Sequence, residues 1–158
     1  MTMLDPVTVS GMEIPFNIIA LEAQNHPSAD VETAFAAAAE ALVIRQLLLD
    51  EAAKTGVVSV ERCDESGATL TDEDAAIEAL LEREIRIPTA DSATCRRYYD
   101  RHRDRFTVHP FEIAQPRIAD YLVEASYRRA VAQYIALLAS AAGVTGVTLG
   151  GADGALVQ

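Results

Sequence analysis

The side chains of this 158-residue chain that could run acid–base or metal chemistry are few and scattered. His102 sits within helical reach of Tyr98, Tyr99 and Phe106. An imidazole there has the atoms of a general base, but the same neighbours describe a packed, half-buried histidine, which is the favoured reading. His109 stands beside Pro110 between two helical segments, the place of an exposed connecting residue. Asp72, Glu73 and Asp74 have the residue types of a hard-cation site. Three acids opening a helix are equally what its dipole favours, so a capping role is expected. Asp100 and Asp104 beside the tyrosines suggest a catalytic cluster, although Arg96 and Asp100 at i,i+4 make a simpler surface pair worth about 0.2–0.5 kcal/mol. Cys63 and Cys95 fit no metal or redox spacing and are ordinary thiols for a reducing compartment. The expectation is no catalytic residue, no metal and no cofactor.

Arg96, Arg97, Arg101, Arg103 and Arg105 form the one basic cluster. Acids interleave with it, and the chain carries a net charge of −11. A nucleic-acid partner is therefore not expected, and the arginines are read as a solvated face pairing with the acidic half of the chain. Residues 1–85 hold 17 acids and 4 bases, net −13, and residues 86–158 hold 7 acids and 9 bases, net +2. The first half repels phosphate and anionic lipid and attracts a basic segment.

The elements that would position these groups are mostly helical. Pro15 opens a short helix to about Asn25, and Asp30 or Ser28 caps a long one running to Thr55 and stopped by Gly56. The interior of that helix, AFAAAAEALVIRQLLL, is apolar over most of its circumference, which places it centrally. Residues 58–70 lack periodicity and read as a loop. Thr71 with Asp74 starts a third helix, with Ile77, Leu80, Leu81 and Ile85 on one face, ending before Pro88. Thr89 is the expected cap of a fourth, which carries RRYYDRHRDRF to Phe106.

The last helical run spans Pro110 to Gly143, with Pro116 expected in the first turn of a helix beginning near Glu112. At ~100° per residue, Tyr121, Leu122 and Ala125 lie within about 60° of Ile118, whereas Val131, Tyr134, Ile135 and Leu138 fall on nearly the opposite side. Each half must pack against a different element. Val7–Ile14 alternates around Ser10-Gly11 as a short hairpin, and the β-prone Gly146–Gly150 is expected to pair with it, joining the two ends of the chain.

Several blocks, in this order and spacing, carry a resemblance: VTVSGMEIP before a helix, the Ala/Leu-rich second helix, LLEREIRIPTADSATCRRYYDRHRDRF, and RIADYL with RRAVAQYI. Together they resemble parvulin-type peptidyl-prolyl cis-trans isomerases of the SurA, PpiD and NifM kind, in which helical segments at both chain ends frame a catalytic domain. The cytoplasmic NifM-like members, associated with maturation of nitrogenase and similar metalloenzymes, look most similar. Parvulin domains carry a strand beginning with a histidine-leucine pair, a Gly-Gly-Asp-Leu-Gly stretch and a second histidine-bearing strand. None of these is present, and Gly150-Gly-Ala-Asp-Gly154 lies in the wrong context.

The resemblance implies a mainly α, SurA-like or NifM-like helical chaperone domain of about five helices. It would be a single unit built from residues 1–106 and 110–158, with the catalytic domain missing at 107–109. Its implied function is a catalytically inactive, client-binding scaffold for unfolded or maturing polypeptides, the client cleft being lined by Phe16, Ile19, Phe111, Ile113, Tyr121 and Tyr127. An active isomerase and an unrelated helical homodimeric interaction module are the alternatives. Because only three residues join the flanking helices, a homodimer that exchanges the C-terminal helix is a further expectation. The N-terminus lacks a basic, apolar leader, and Glu40, Arg45 and Gln46 interrupt the longest apolar run. A cytoplasmic location without a membrane partner is therefore expected.

Overall fold

The computed structural model describes residues 5–58 and 60–150. Met1–Leu4, Ser59 and 151–158, which include most of the glycine-rich stretch ending at Gly154, lie outside the described residues. Among the described residues the architecture is mainly helical, with five α-helices and a small antiparallel sheet. The helices are α1 (Phe16–Ala23), α2 (Val31–Lys54), α3 (Asp72–Glu84), α4 (Ser92–Arg101) and α5 (Phe111–Ala142). The strands are β1 (Thr8–Val9), β2 (Met12–Glu13) and β3 (Val144–Thr145), in the order β2-β1-β3.

Local chemistry sets the helix starts. Asp30 accepts from the Glu32 amide at 3.1 Å to cap α2, and Thr71 accepts from the Asp74 amide at 3.1 Å to cap α3. The cap of α4 is Asp91, whose Oδ1 accepts from the Thr94 amide at 2.8 Å, and not the expected Thr89. Both are good capping types. Thr89 instead belongs to an extended link between α3 and α4 that follows Pro88. Helix α5 begins at Phe111, one residue earlier than expected, so Pro116 is its sixth residue and stands in the second turn. Lacking an N–H, it leaves the Glu112 carbonyl without its ladder bond.

The two ends of the chain do meet in the sheet. Thr8 pairs with Thr145 and Val9 with Val144, and the two threonine hydroxyls hydrogen-bond at 2.6 Å. The C-terminal strand lies two residues earlier than the sequence pattern indicates, because Gly146 adopts φ +78° and turns the chain out of the sheet. A methyl group at position 146 would overlap the Pro6 carbonyl, so glycine is required by space as well as by backbone.

Helix α2 is central as expected. It packs on α1, α3, α5 and β1 and contributes Ala38, Ala39, Val43, Leu47, Leu48 and Ala52 to the main core, alongside Val9, Ile19 and Leu80. The C-terminal half of α5 adds Val131 and Ile135 to this core. Its N-terminal half buries Ala114 and Ile118 in a second, smaller cluster with Cys95 and Tyr99 of α4. The switch of buried face along α5 is thus observed: one continuous helix serves two cores.

The expected obstacle to chain reversal after Phe106 is not there. A 3-10 turn (Arg103–Phe106) and the Thr107–Pro110 link fold α5 back against α4 within one chain. Tyr99 Oη donates to the His109 carbonyl at 2.8 Å and its ring stacks on Phe106 at 5.2 Å, tying the turn from inside. The geometric motive for helix exchange between two copies is therefore absent.

Candidate functional site

The α4–α5 hairpin gathers most of the residues that invited a catalytic reading, and it uses them as packing. His102 is half-buried at the C-terminus of α4, its ring 4.3 Å from that of Tyr98, which also meets Tyr121 at 5.5 Å. Arg96 and Arg103 lie over the Phe111 and Tyr99 rings, each 5.0 Å from the ring centre, and Arg105 donates to Tyr98 Oη at 3.4 Å. Arg96 pairs with Asp100 at 3.4 Å, as its spacing predicts, and Arg103 approaches the same carboxylate at 3.6 Å. These arginines are therefore engaged with aromatic rings and acids of their own hairpin, not with the acidic half of the chain. Burial raises the Cys95 thiol above its usual range, which keeps it protonated inside this cluster.

The acids opening α3 are tied to α2. Arg45 donates to Asp74 at 2.6 Å and to Glu73 at 2.8 Å, and the Arg45 hydrogen bond is the main cause holding the Asp74 carboxyl below its usual range. Arg62 similarly donates to Glu82 at 2.7 Å, fastening the 60–70 loop to α3.

The six residues assigned to a client cleft do not form one. Ile19 is only 2% exposed and belongs to the main core, because its side of α1 faces α2; it is not a cleft residue. Phe16, on the same helix, is exposed and leans on Phe35 with ring centres 4.9 Å apart. Phe111 is half-buried in the hairpin cluster, and Tyr121 is exposed beside Tyr98. Ile113 is exposed near the start of α5. Tyr127 alone lines a groove.

That groove, of about 520 Å³, runs between α5 and the α3–α4 link. One wall is Ile87, Thr89 and Ala90, and the other is Ala119, Val123 and Tyr127, with Asp120 and Glu124 on the same helix. Val123 and Tyr127 continue, one turn after another, the stripe that carries Val131, Tyr134 and Leu138 into the main core. From residue 131 onward the stripe is covered by the body. Along 119–127 the cover falls away: Ala119 is half-buried against the hairpin cluster, Val123 is half-buried, and Tyr127 is 39% exposed.

Sequence reasoning missed Ile87, Ala90, Ala119 and Val123. The available signal was the stripe itself, since extending the Val131–Leu138 face back by four-residue steps reaches Tyr127, Val123 and Ala119. Asp120 and Glu124 form the adjacent row, and among the described residues neither makes an ion pair. The site is thus an apolar trough with an acidic edge. Its polar groups are the Asp120 and Glu124 carboxylates and the Thr89 and Tyr127 hydroxyls.

Comparison with protein-family models, with curated proteins and with solved structures finds no match to this chain. Among the described residues no helix is long and apolar enough to cross a membrane.

Proposed function

We propose that this chain is a non-catalytic, client-binding helical scaffold of the parvulin-type foldase kind, holding apolar stretches of unfolded or maturing polypeptides in the groove along α5. The observation that carries this reading is the partly uncovered continuation of a core-facing stripe. Ala119, Val123 and Tyr127 present an apolar surface opposite Ile87 and Ala90, with room between them for inserted side chains. The resemblance is further supported by the position of the Thr107–Pro110 link. It is an exposed hairpin tip, where a domain insertion leaves the flanking helices in place. The joined termini support it too, since segments from both chain ends build one frame.

The test is fluorescence anisotropy with a labelled, unstructured peptide rich in Leu and Val. Burying one such side chain contributes ~1.5–3 kcal/mol, so Val123→Asp should weaken binding by at least about tenfold with an unchanged circular dichroism spectrum. Equal binding by the wild type and Val123→Asp would refute the groove. Turnover of a short Xaa-Pro peptide above background by the pure protein would refute the non-catalytic assignment.

A further inference from the structure

The groove's shape and its charged edge specify more than a preference for apolar chain. Asp120 and Glu124 are four residues apart on α5, so their side chains emerge about 6 Å apart along the helix axis on one edge of the trough. Like charges at this spacing destabilise a helix by a few tenths of a kcal/mol when nothing offsets them. Arg117 and Arg128 stand three residues before and four after the pair, yet no ion pair forms with either among the described residues. Two exposed carboxylates, neither held in an ion pair among the described residues, thus flank an apolar trough.

An extended polypeptide places residues i and i+2 on the same side, roughly 6.6 Å apart, and turns residue i+1 the other way. That repeat matches the carboxylate spacing. We infer that the groove binds an extended client segment of the pattern basic–apolar–basic. The two Lys or Arg side chains lie along Asp120 and Glu124, and the apolar side chain between them turns toward Ile87 and Ala90. The inference rests on the client-binding reading and adds a rule of sequence to it. The occupant is a partner polypeptide and not a second copy of this chain, whose net charge of −11 opposes approach to an acidic edge. Nor does the described sequence contain the pattern: its arginines alternate with Asp100, His102 and Asp104 instead of apolar residues.

Four peptides in a common Gly/Ser frame test it by anisotropy with the full chain: Arg-Leu-Arg, the permuted Arg-Arg-Leu, Glu-Leu-Glu and Ser-Leu-Ser. Arg-Leu-Arg should bind roughly three- to tenfold tighter than the permuted peptide and more than tenfold tighter than Glu-Leu-Glu, with the advantage shrinking as salt rises. In the Asp120→Asn/Glu124→Gln double variant, the advantage of Arg-Leu-Arg over Ser-Leu-Ser should vanish. Equal binding of Arg-Leu-Arg and Arg-Arg-Leu overturns the spacing rule, and equal binding of Arg-Leu-Arg and Glu-Leu-Glu overturns the charge rule. In both of those cases Ser-Leu-Ser binding that Val123→Asp abolishes leaves the groove standing. Failure of all four peptides to bind overturns the groove and the inference together.

Discussion

Replacing Ile118 by Ala should unfasten the α4–α5 hairpin while the body stays folded. Ile118 is 2% exposed and is one of four buried residues in the hairpin cluster, the others being Cys95, Tyr99 and Ala114. The main core holds twelve such residues, drawn from α1, α2, α3, α5 and the sheet. Truncating a buried Ile to Ala costs about 2–5 kcal/mol, including the cavity left behind. Fully burying one large apolar side chain contributes only ~1.5–3 kcal/mol, so a loss near 3 kcal/mol removes a large share of what closes so small a cluster. It removes a minor share from the main core. Converted at about 1.4 kcal/mol per decade, that loss is roughly a hundredfold in the opening equilibrium of the hairpin.

Native-state amide hydrogen exchange reads this directly, since local and global openings are distinguished residue by residue. Amides of α4 around Tyr98–Asp100 and of α5 around Ala114–Leu122 should lose about two decades of protection. Those of Val43, Leu47 and Leu80 should change by less than a factor of three. The matching control is Leu80→Ala, at a side chain with no exposure in the main core, which should lower protection throughout. If Ile118→Ala reduces protection equally in α2 and α3, the chain unfolds as one cooperative unit and the two-core reasoning is wrong.

Other substitutions probe single features. Gly146→Ala forces a methyl group against the Pro6 carbonyl and a left-handed backbone on alanine, and should lower stability by at least ~2 kcal/mol in urea denaturation. Tyr134→Phe removes a hydroxyl buried without a hydrogen-bond partner and should leave the melting temperature unchanged or raise it, by up to ~1 kcal/mol of stability. A clear fall would reveal a partner for that oxygen. Asp74 has its carboxyl held below the usual range, first by Arg45 and then by Thr71. Its contribution is therefore present above an unfolded value of about 3.9 and is lost as pH falls through the folded value. Melting curves should accordingly show Asp74→Asn less stable than wild type at pH 7, with the gap closing toward pH 2. A gap independent of pH would contradict the ion pair.

What the sequence made legible was local. Capping by Asp30 and Thr71, the stop at Gly56 and the centrality of α2 each depend on residues within a few positions, and periodicity alone located the face switch in α5. Competition between equally good local choices was not legible. Thr89 and Asp91 are both strong caps, and the chain runs on through Thr89 after Pro88 so that α4 is capped by Asp91. The residues expected to line a cleft are dispersed for a physical reason as well. Large aromatic and aliphatic side chains are also what a core takes up: Ile19 lies in the main core, and Phe111 and Tyr121 make contacts within the hairpin. A trough needs small residues on its walls, and Ala90 and Ala119 become visible only when segments some thirty positions apart are set side by side.

The β1–β3 pairing has a kinetic consequence. Thr8 and Thr145, which pair in the sheet, are 137 positions apart. At ~5–20 residues per second of synthesis, the first strand waits roughly 7–30 s for its partner to be made. During that wait Val7 and Val9, both buried in the finished protein, lack the strand that completes their cover. Closing the sheet is thus a late event in the birth of the chain, and until it happens the new protein itself needs protection.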